Sequence, residues 1–213
     1  MTAFRTALAS SCLLSRRGRV QIVTVFGSGL QAYWHIRLAL IQHGRTIRKV
    51  NFINRKFSES SKLLFEELHA IPAEVRQREG WQSTYFNITT PGYNDFQRLL
   101  SEQLQEADVI FCCTASNEPL FDAQVLTSPD NRAKARLIIA VGSRTTQMRE
   151  LPSDLLVQAT APRKAPTWWY IGHKRAREGG VIIVDTVDGA LKQAGEIADA
   201  GLGPGQLLGY VPT

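Results

Sequence analysis

The residues best suited to do chemistry lie between positions 27 and 58. Gly27-Ser28-Gly29-Leu30-Gln31-Ala32 follows directly on the β-branched run Gln21-Ile22-Val23-Thr24-Val25-Phe26. Gly27 permits a tight turn off a strand. Gly29 lets the backbone approach a pyrophosphate, whose charge then rests on the N-terminus of the next helix. The third small position is Ala32, so the pattern is G-x-G-x-x-A, with a strand before it and a helix after it, the context that gives the motif weight. The alternative is a bare strand-to-helix turn with no ligand. A second apolar run, Val50-Asn51-Phe52-Ile53, ends in Asn54-Arg55-Lys56, with Ser58 close behind. A carboxylate at that strand end bonds the ribose 2′-hydroxyl of NAD, whereas an arginine accommodates a 2′-phosphate. With two cations and no carboxylate, Asn54 and Arg55 predict NADP over NAD, NAD remaining possible. The alternative is a basic strand end exposed on the surface.

These residues need a scaffold, and the apolar pattern supplies one. Leu30, Trp34, Ile36, Leu38, Ala39 and Ile41 are spaced as on a largely buried helix, with Gly44 just past its end. Strand, helix and strand make a first βαβ unit. Further on, the pattern predicts a helix over 57–79 interrupted at Ile71-Pro72, a strand over 81–88, a helix over 93–106 and a buried strand over 108–113. That strand ends in Thr114-Ala115-Ser116. In an open α/β sheet ligands bind beyond the carboxyl ends of the strands. Thr114 and Ser116 are therefore candidates to bond cofactor ribose or phosphate, the alternative being a simple turn. A fifth strand over 137–141 ends at Val141-Gly142, with Arg144 beyond, on the nicotinamide side of the crevice. A short helix over 152–160, a basic loop over 161–179 with Trp168-Trp169-Tyr170 buried or at a contact, a sixth strand over 181–184 and a helix from Gly189 complete the pattern. The expected fold is α/β, a Rossmann-type doubly wound, mostly parallel sheet with helices on both faces.

Composition narrows the function classes. The chain has 213 residues, 44% of them hydrophobic, enough for a full core. No apolar run approaches the roughly 18 residues of a membrane span. Cys12, Cys112 and Cys113 offer neither metal-ligand spacing nor a plausible pairing, and so indicate a reducing, cytoplasmic setting. His35, His43, His69 and His173 form no ligand pattern, so no metal is expected. The net charge of +6 is uneven, with no Asp or Glu before Glu59 but ten Lys or Arg. No basic run interleaved with aromatics and no RNA module is present, so the charge is read as serving an anionic cofactor and a carboxylate substrate and no nucleic-acid or membrane partner is expected. The opening stretch, basic, serine-rich and free of acids, fits either a transit peptide or a helix leading into the first strand.

Several pieces, in order and over nearly the whole chain, resemble the ornithine cyclodeaminase / mu-crystallin family. They are Thr2-Ala3-Phe4-Arg5-Thr6-Ala7 with Ser10, Gly27-Ser28-Gly29-Leu30-Gln31-Ala32, Asn54-Arg55, Ala107-Asp108-Val109-Ile110 through Thr114, Ala140-Val141-Gly142 with Arg149-Glu150-Leu151, and Asp185 with Ala190-Leu191-Lys192-Gln193-Ala194-Gly195-Glu196. The resemblance implies that the opening segment is an inter-domain helix and that Arg5 grips a substrate carboxylate, which suits the planar guanidinium fork. It also implies that Leu30 and Gln31 touch the pyrophosphate and that Arg55 serves the adenosine end.

Two departures from the family pattern matter. Cyclodeaminases carry an aspartate two residues after the glycine ending the fifth strand, and here that place is Arg144, which cannot accept an amine proton near neutral pH. The mu-crystallin branch also lacks it and resembles a ketimine reductase. The implied activity is hydride transfer to or from a cyclic imine or imino acid, with Arg5 holding the carboxylate and Arg144 either assisting it or facing the cofactor. A non-catalytic NADP-binding module and a true ornithine cyclodeaminase are the alternatives. The family also has a segment before the opening helix, and a homodimer is implied where that segment is supplied. The expected division is 1–19 helix, 20–190 cofactor domain and 191–213 a shortened return segment.

Overall fold

The computed structural model describes residues 2–142, 145–161 and 180–209. Arg144 and Trp168-Trp169-Tyr170 lie outside them. The chain divides into two compact units, residues 1–114 with 130–141, and 115–129 with 142–213.

The first unit holds a five-stranded parallel sheet. Its strands are β1 (Ile22–Phe26), β2 (Lys49–Ile53), β3 (Tyr85–Thr89), β4 (Val109–Cys112) and β5 (Leu137–Ala140), in the order β3-β2-β1-β4-β5. The order reverses between β1 and β4, which is where a doubly wound sheet opens a crevice at its carboxyl edge. Register is set by burial. Val23 and Val25 face Val50 and Phe52 on one side and Val109 and Phe111 on the other, all fully or almost fully buried. Alternate side chains share a face of a strand, so these residues form one apolar surface. Helix α2 (Leu30–His43) covers it with Ala32, Ile36, Ala39 and Leu40.

Helix α1 (Thr2–Leu14) is a true helix, in agreement with the second reading of the opening stretch. It runs beside α2 in the same direction. Phe4 meets the edge of Trp34, Ser10 Oγ lies 3.0 Å from His35 Nε2, and the Leu14 carbonyl accepts from His43 Nε2 at 3.2 Å. The amino ends of α1 and α2 therefore share one end of the unit. At the other end Asp108, just before β4, accepts the N–H groups of Gln21 (2.7 Å) and Ile22 (3.0 Å) and pairs with Lys134 at 3.1 Å. Burial raises this carboxyl's pKa, but the two N–H groups and the ammonium outweigh it, and the net shift is downward.

The predicted helix over 57–79 is two helices, α3 (Glu59–His69) and α4 (Ala73–Glu79), parted at Pro72 as expected. Trp81 is not in the third strand. It is a buried anchor four residues before β3, at 2% exposure. Helix α5 starts at Phe96, not Tyr93, and runs to Glu106. β4 is buried along its whole length, as its apolar run indicated.

In the second unit the predicted short helix is α7 (Ser153–Thr160), preceded by a single turn, α6 (Gln124–Thr127). The sixth strand, β6 (Ile182–Val184), does not extend the large sheet. It pairs in parallel with β7 (Leu207–Gly209) in a separate two-stranded sheet. The predicted helix from Gly189 is two, α8 (Val187–Gln193) and α9 (Gly195–Asp199), broken at Ala194 in extended backbone. Apolar periodicity cannot report such a break, because α8 buries none of its residues and so carries no apolar phase to interrupt.

Candidate functional site

The glycine turn sits at the carboxyl end of β1, beside the end of β4. Gly27 has φ of 98°, a left-handed conformation that only glycine adopts without strain. A Cβ there would lie 2.6 Å from the Cys113 carbonyl oxygen and 3.3 Å from Thr114 Cγ2. Gly27 N–H donates to Ile53 O at 3.1 Å, tying the turn to the end of β2 as well. Gly29 differs. It caps α2 with ordinary φ, and a Cβ on it would meet nothing within 4 Å. No side chain caps this helix end, no acidic residue occupies its first turn, and Leu30 is 64% exposed. The first amides of an α-helix have no intrahelical acceptor. Here neither a capping side chain nor an acidic residue competes for them at the sheet's switch point, which suits an anion.

The β2 end forms the second wall. Arg55 and Lys56 are exposed, whereas Asn54 is buried and its amide nitrogen donates to Ser61 Oγ at 3.0 Å. Ser61 Oγ in turn reaches Ser28 Oγ at 3.2 Å, and the N–H of Ser61 donates to Ser58, the cap of α3. Ser28, Asn54, Ser58 and Ser61 thus form one hydroxyl and amide chain joining the glycine turn to the start of α3. The sequence reading named Asn54 as a contact but missed Ser61, which is wholly buried. The available signal was a small polar residue three positions after the Ser58 cap.

His35 fixes the first turn of α2 from beneath. Its Nδ1–H donates to the Gln31 carbonyl at 2.7 Å, and it lies among Ser10, the Phe111 ring and Cys113 Sγ (3.9 Å). Burial lowers its pKa from the ordinary 6.5, with the Gln31 hydrogen bond opposing. The unfolded chain therefore takes up the proton more readily than the folded one. Stability that is complete above pH about 6.5 falls as the pH drops toward the folded value. Thermal denaturation between pH 7.5 and 5.5 is expected to show a falling Tm, and His35→Gln is expected to flatten that fall.

Arg5 is exposed on α1, at the end of the unit that carries the glycine turn. Thr114 lies against Gly27, and Val141 N–H donates to Cys112 O at 3.0 Å. In the second unit Ser116 Oγ is engaged locally, donating to Glu118 O at 2.7 Å. Gly142 N–H donates to Glu150, a fully buried carboxylate, at 2.7 Å. Arg149 pairs with Asp199. Glu150 appeared in the sequence only as part of a motif, and the structure shows it buried and bound to the Gly142 amide.

No protein-family model matches the sequence. An uncharacterized cyclodeaminase of Dictyostelium discoideum is 34% identical over 137 residues, covering 62% of this chain and 35% of that protein. The probable ornithine cyclodeaminase of Bordetella pertussis Tohama I superimposes with a TM-score of 0.64 at 18% identity, over 98% of this chain and 52% of that one. The chain resembles the ornithine cyclodeaminase family. The Δ1-pyrroline-2-carboxylate reductase of Thermococcus litoralis, solved with NADH and L-proline, has the same fold, with a TM-score of 0.63 at 15% identity over 97% of this chain and 51% of that one. The chain thus spans about half the length of these solved structures and about a third of the Dictyostelium relative. Its five-stranded parallel sheet with surrounding helices is the Rossmann-like fold of these two structures.

Proposed function

We propose that the chain binds NADP and takes part in hydride transfer to or from a cyclic imine or imino acid. The observation that carries this is the uncapped, acid-free start of α2 at the switch point, with open space over Gly29 and the cations Arg55 and Lys56 beyond the end of β2. These features fit a dinucleotide. The amides of Leu30 and Gln31 would hold the pyrophosphate, and Arg55 the 2′-phosphate, with Ser58 beside it. The Asn54–Ser61–Ser28 chain holds the two walls at a fixed spacing. When bound, the nicotinamide supplies the hydride. Arg5 would orient the substrate carboxylate through its two-pronged donor face. Arg144, in the place of the cyclodeaminase aspartate, favours imine reduction over amine deprotonation. The reductase neighbour's complex with NADH and L-proline supports the same class of chemistry.

Two measurements test this reading. NADPH fluorescence titration should show binding, and added Δ1-pyrroline-2-carboxylate should consume the bound reductant in a manner abolished by Arg5→Ala. Binding without consumption would support the second reading, a cofactor-binding module whose substrate half lies elsewhere. Arg55→Asp should raise the Kd for NADPH about 10- to 100-fold, the worth of a lost charge-assisted pair, and leave that for NADH nearly unchanged. An unaltered preference between the two cofactors would remove the case for NADP.

A further inference from the structure

The edge of the first unit opposite the glycine turn carries an unexplained concentration of arginines. All five strands run in parallel, so the loops that precede them emerge along one edge. Strand spacing makes that edge about 20 Å long. Arg16 and Arg19 stand in the segment before β1, Arg45 and Arg48 before β2, and Arg132 before β5. Each is exposed, and among the described residues none of the five is in an ion pair. The loops are bound to one another. Thr46 Oγ1 donates to Val20 O at 2.7 Å, Arg48 N–H to Gln21 O at 2.8 Å, and Tyr85 N–H to Arg48 O at 2.9 Å. Arg17 reaches across to Ala135 O at 2.9 Å. The cations therefore sit on a rigid row and not on separate tethers.

Nearby carboxylates do not neutralise the row. Asp108 is taken by two N–H groups and Lys134, Glu106 by Lys49, and Glu79 by Arg37. Asp130 is exposed before β5 and is in no ion pair among the described residues. Arg17 and Arg136 add a separate observation. Their Nε–H groups are buried without an acceptor although their outer nitrogens donate to carbonyls, so two further guanidiniums are held in place by neutral groups, with Asp108 the carboxylate that acts on Arg136.

We infer that this edge is an interaction surface for the phosphate backbone of a nucleic acid, bound without base reading. Arginine's fork fits phosphate oxygens. A protein partner would be met by an apolar, charge-poor centre, and this row has none. Tyr85, 61% exposed at the start of β3, is the large ring beside it. A scan for basic runs in the sequence could not find the surface, because three separate loops contribute its arginines and only the parallel sheet aligns them.

The test uses the full 213-residue chain and a fluorescein-labelled 20-base-pair DNA duplex, with anisotropy measured from about 50 to 200 mM salt. Binding should weaken steeply with salt. The double variant Arg19→Glu with Arg48→Glu should bind at least tenfold more weakly, with a slope shallower by about 0.9 for each lost phosphate contact. Lys62→Glu with Arg98→Glu changes net charge equally at exposed positions near the starts of α3 and α5, at the carboxyl ends of the strands, and should alter binding less than threefold. Equal losses in the two variants would overturn the proposal, since net charge alone would then explain binding. So would no binding at all, or capture by phosphatidylserine vesicles without capture of the duplex. Arg16→Gln with Arg132→Gln removes two charges without introducing new ones. Should the first variant fail to fold, a loss of at least fivefold here supports the surface and no loss overturns it.

Discussion

Gly29→Ala is expected to leave the thermal midpoint of the protein within about 2 °C of wild type while weakening NADPH at least tenfold. The two halves of that result have separate causes. The backbone at Gly29 has ordinary φ, and a methyl group there would meet nothing within 4 Å, so the fold has no reason to object. The same open space is where a pyrophosphate must approach the amides of α2 within hydrogen-bond reach, and a methyl group stands in its way. Gly27→Ala should behave differently. Its φ of 98° and the 2.6 Å approach to the Cys113 carbonyl put both strain and a backbone clash into the folded state, costing about 2–4 kcal/mol. Thermal melts paired with NADPH titration separate the two glycines. If Gly29→Ala bound NADPH as wild type does, the turn would be a structural feature and the proposed function would fail.

Trp81→Ala is expected to destabilise the chain by about 3–5 kcal/mol, near the total stability of many domains of this size. Trp81 is buried, packs edge-on against Phe86 at 6.2 Å and lies 6.0 Å beneath the Arg37 guanidinium. Its Nε1–H donates to Glu79 at 2.6 Å, and Arg37 holds the same carboxylate with two bonds of 2.7 Å. Removing the ring leaves a cavity beside α2 and breaks this three-residue network. The Arg37 hydrogen bonds keep the Glu79 pKa below its ordinary value, so Glu79 remains charged and still needs its partners. Trp81→Phe retains most of the volume and loses one hydrogen bond, so it should cost about 1–2 kcal/mol. Urea denaturation of the two variants checks the ordering, and equal losses would mean that the hydrogen bond outweighs the packing.

The glycine turn, the first βαβ unit and the buried β4 were legible because each is local. A turn motif has fixed spacing, and a strand buried on both faces is a continuous apolar run. Arg55 and Lys56 were legible for the same reason, since a strand end is defined by the strand. Ser61 was not, because its importance comes from Asn54 and Ser28, seven and 33 positions away, which meet only in the folded chain. Glu150 was hidden similarly. A carboxylate is ordinarily solvated, and only the tertiary structure shows this one buried against the Gly142 amide. The separate β6–β7 sheet could not be read from composition, since three-residue strands carry too little periodicity to say which sheet they join.

The placement of β4 has a consequence for how the chain reaches its native state. β1, β2 and β3 can assemble from consecutive pieces, but the free edge of β1 must wait for β4, which is 86 residues later in the chain by the pairing of Phe26 with Cys112. At ribosomal speeds that interval is roughly 4–17 s, during which the unpaired edge of a mostly apolar strand stands unprotected on the nascent polypeptide. Asp108 arrives immediately ahead of β4 and grips the first amides of β1, so it can set the alignment before the strands zip together. Chaperone demand during synthesis should therefore concentrate in the window that ends when Asp108 leaves the exit tunnel.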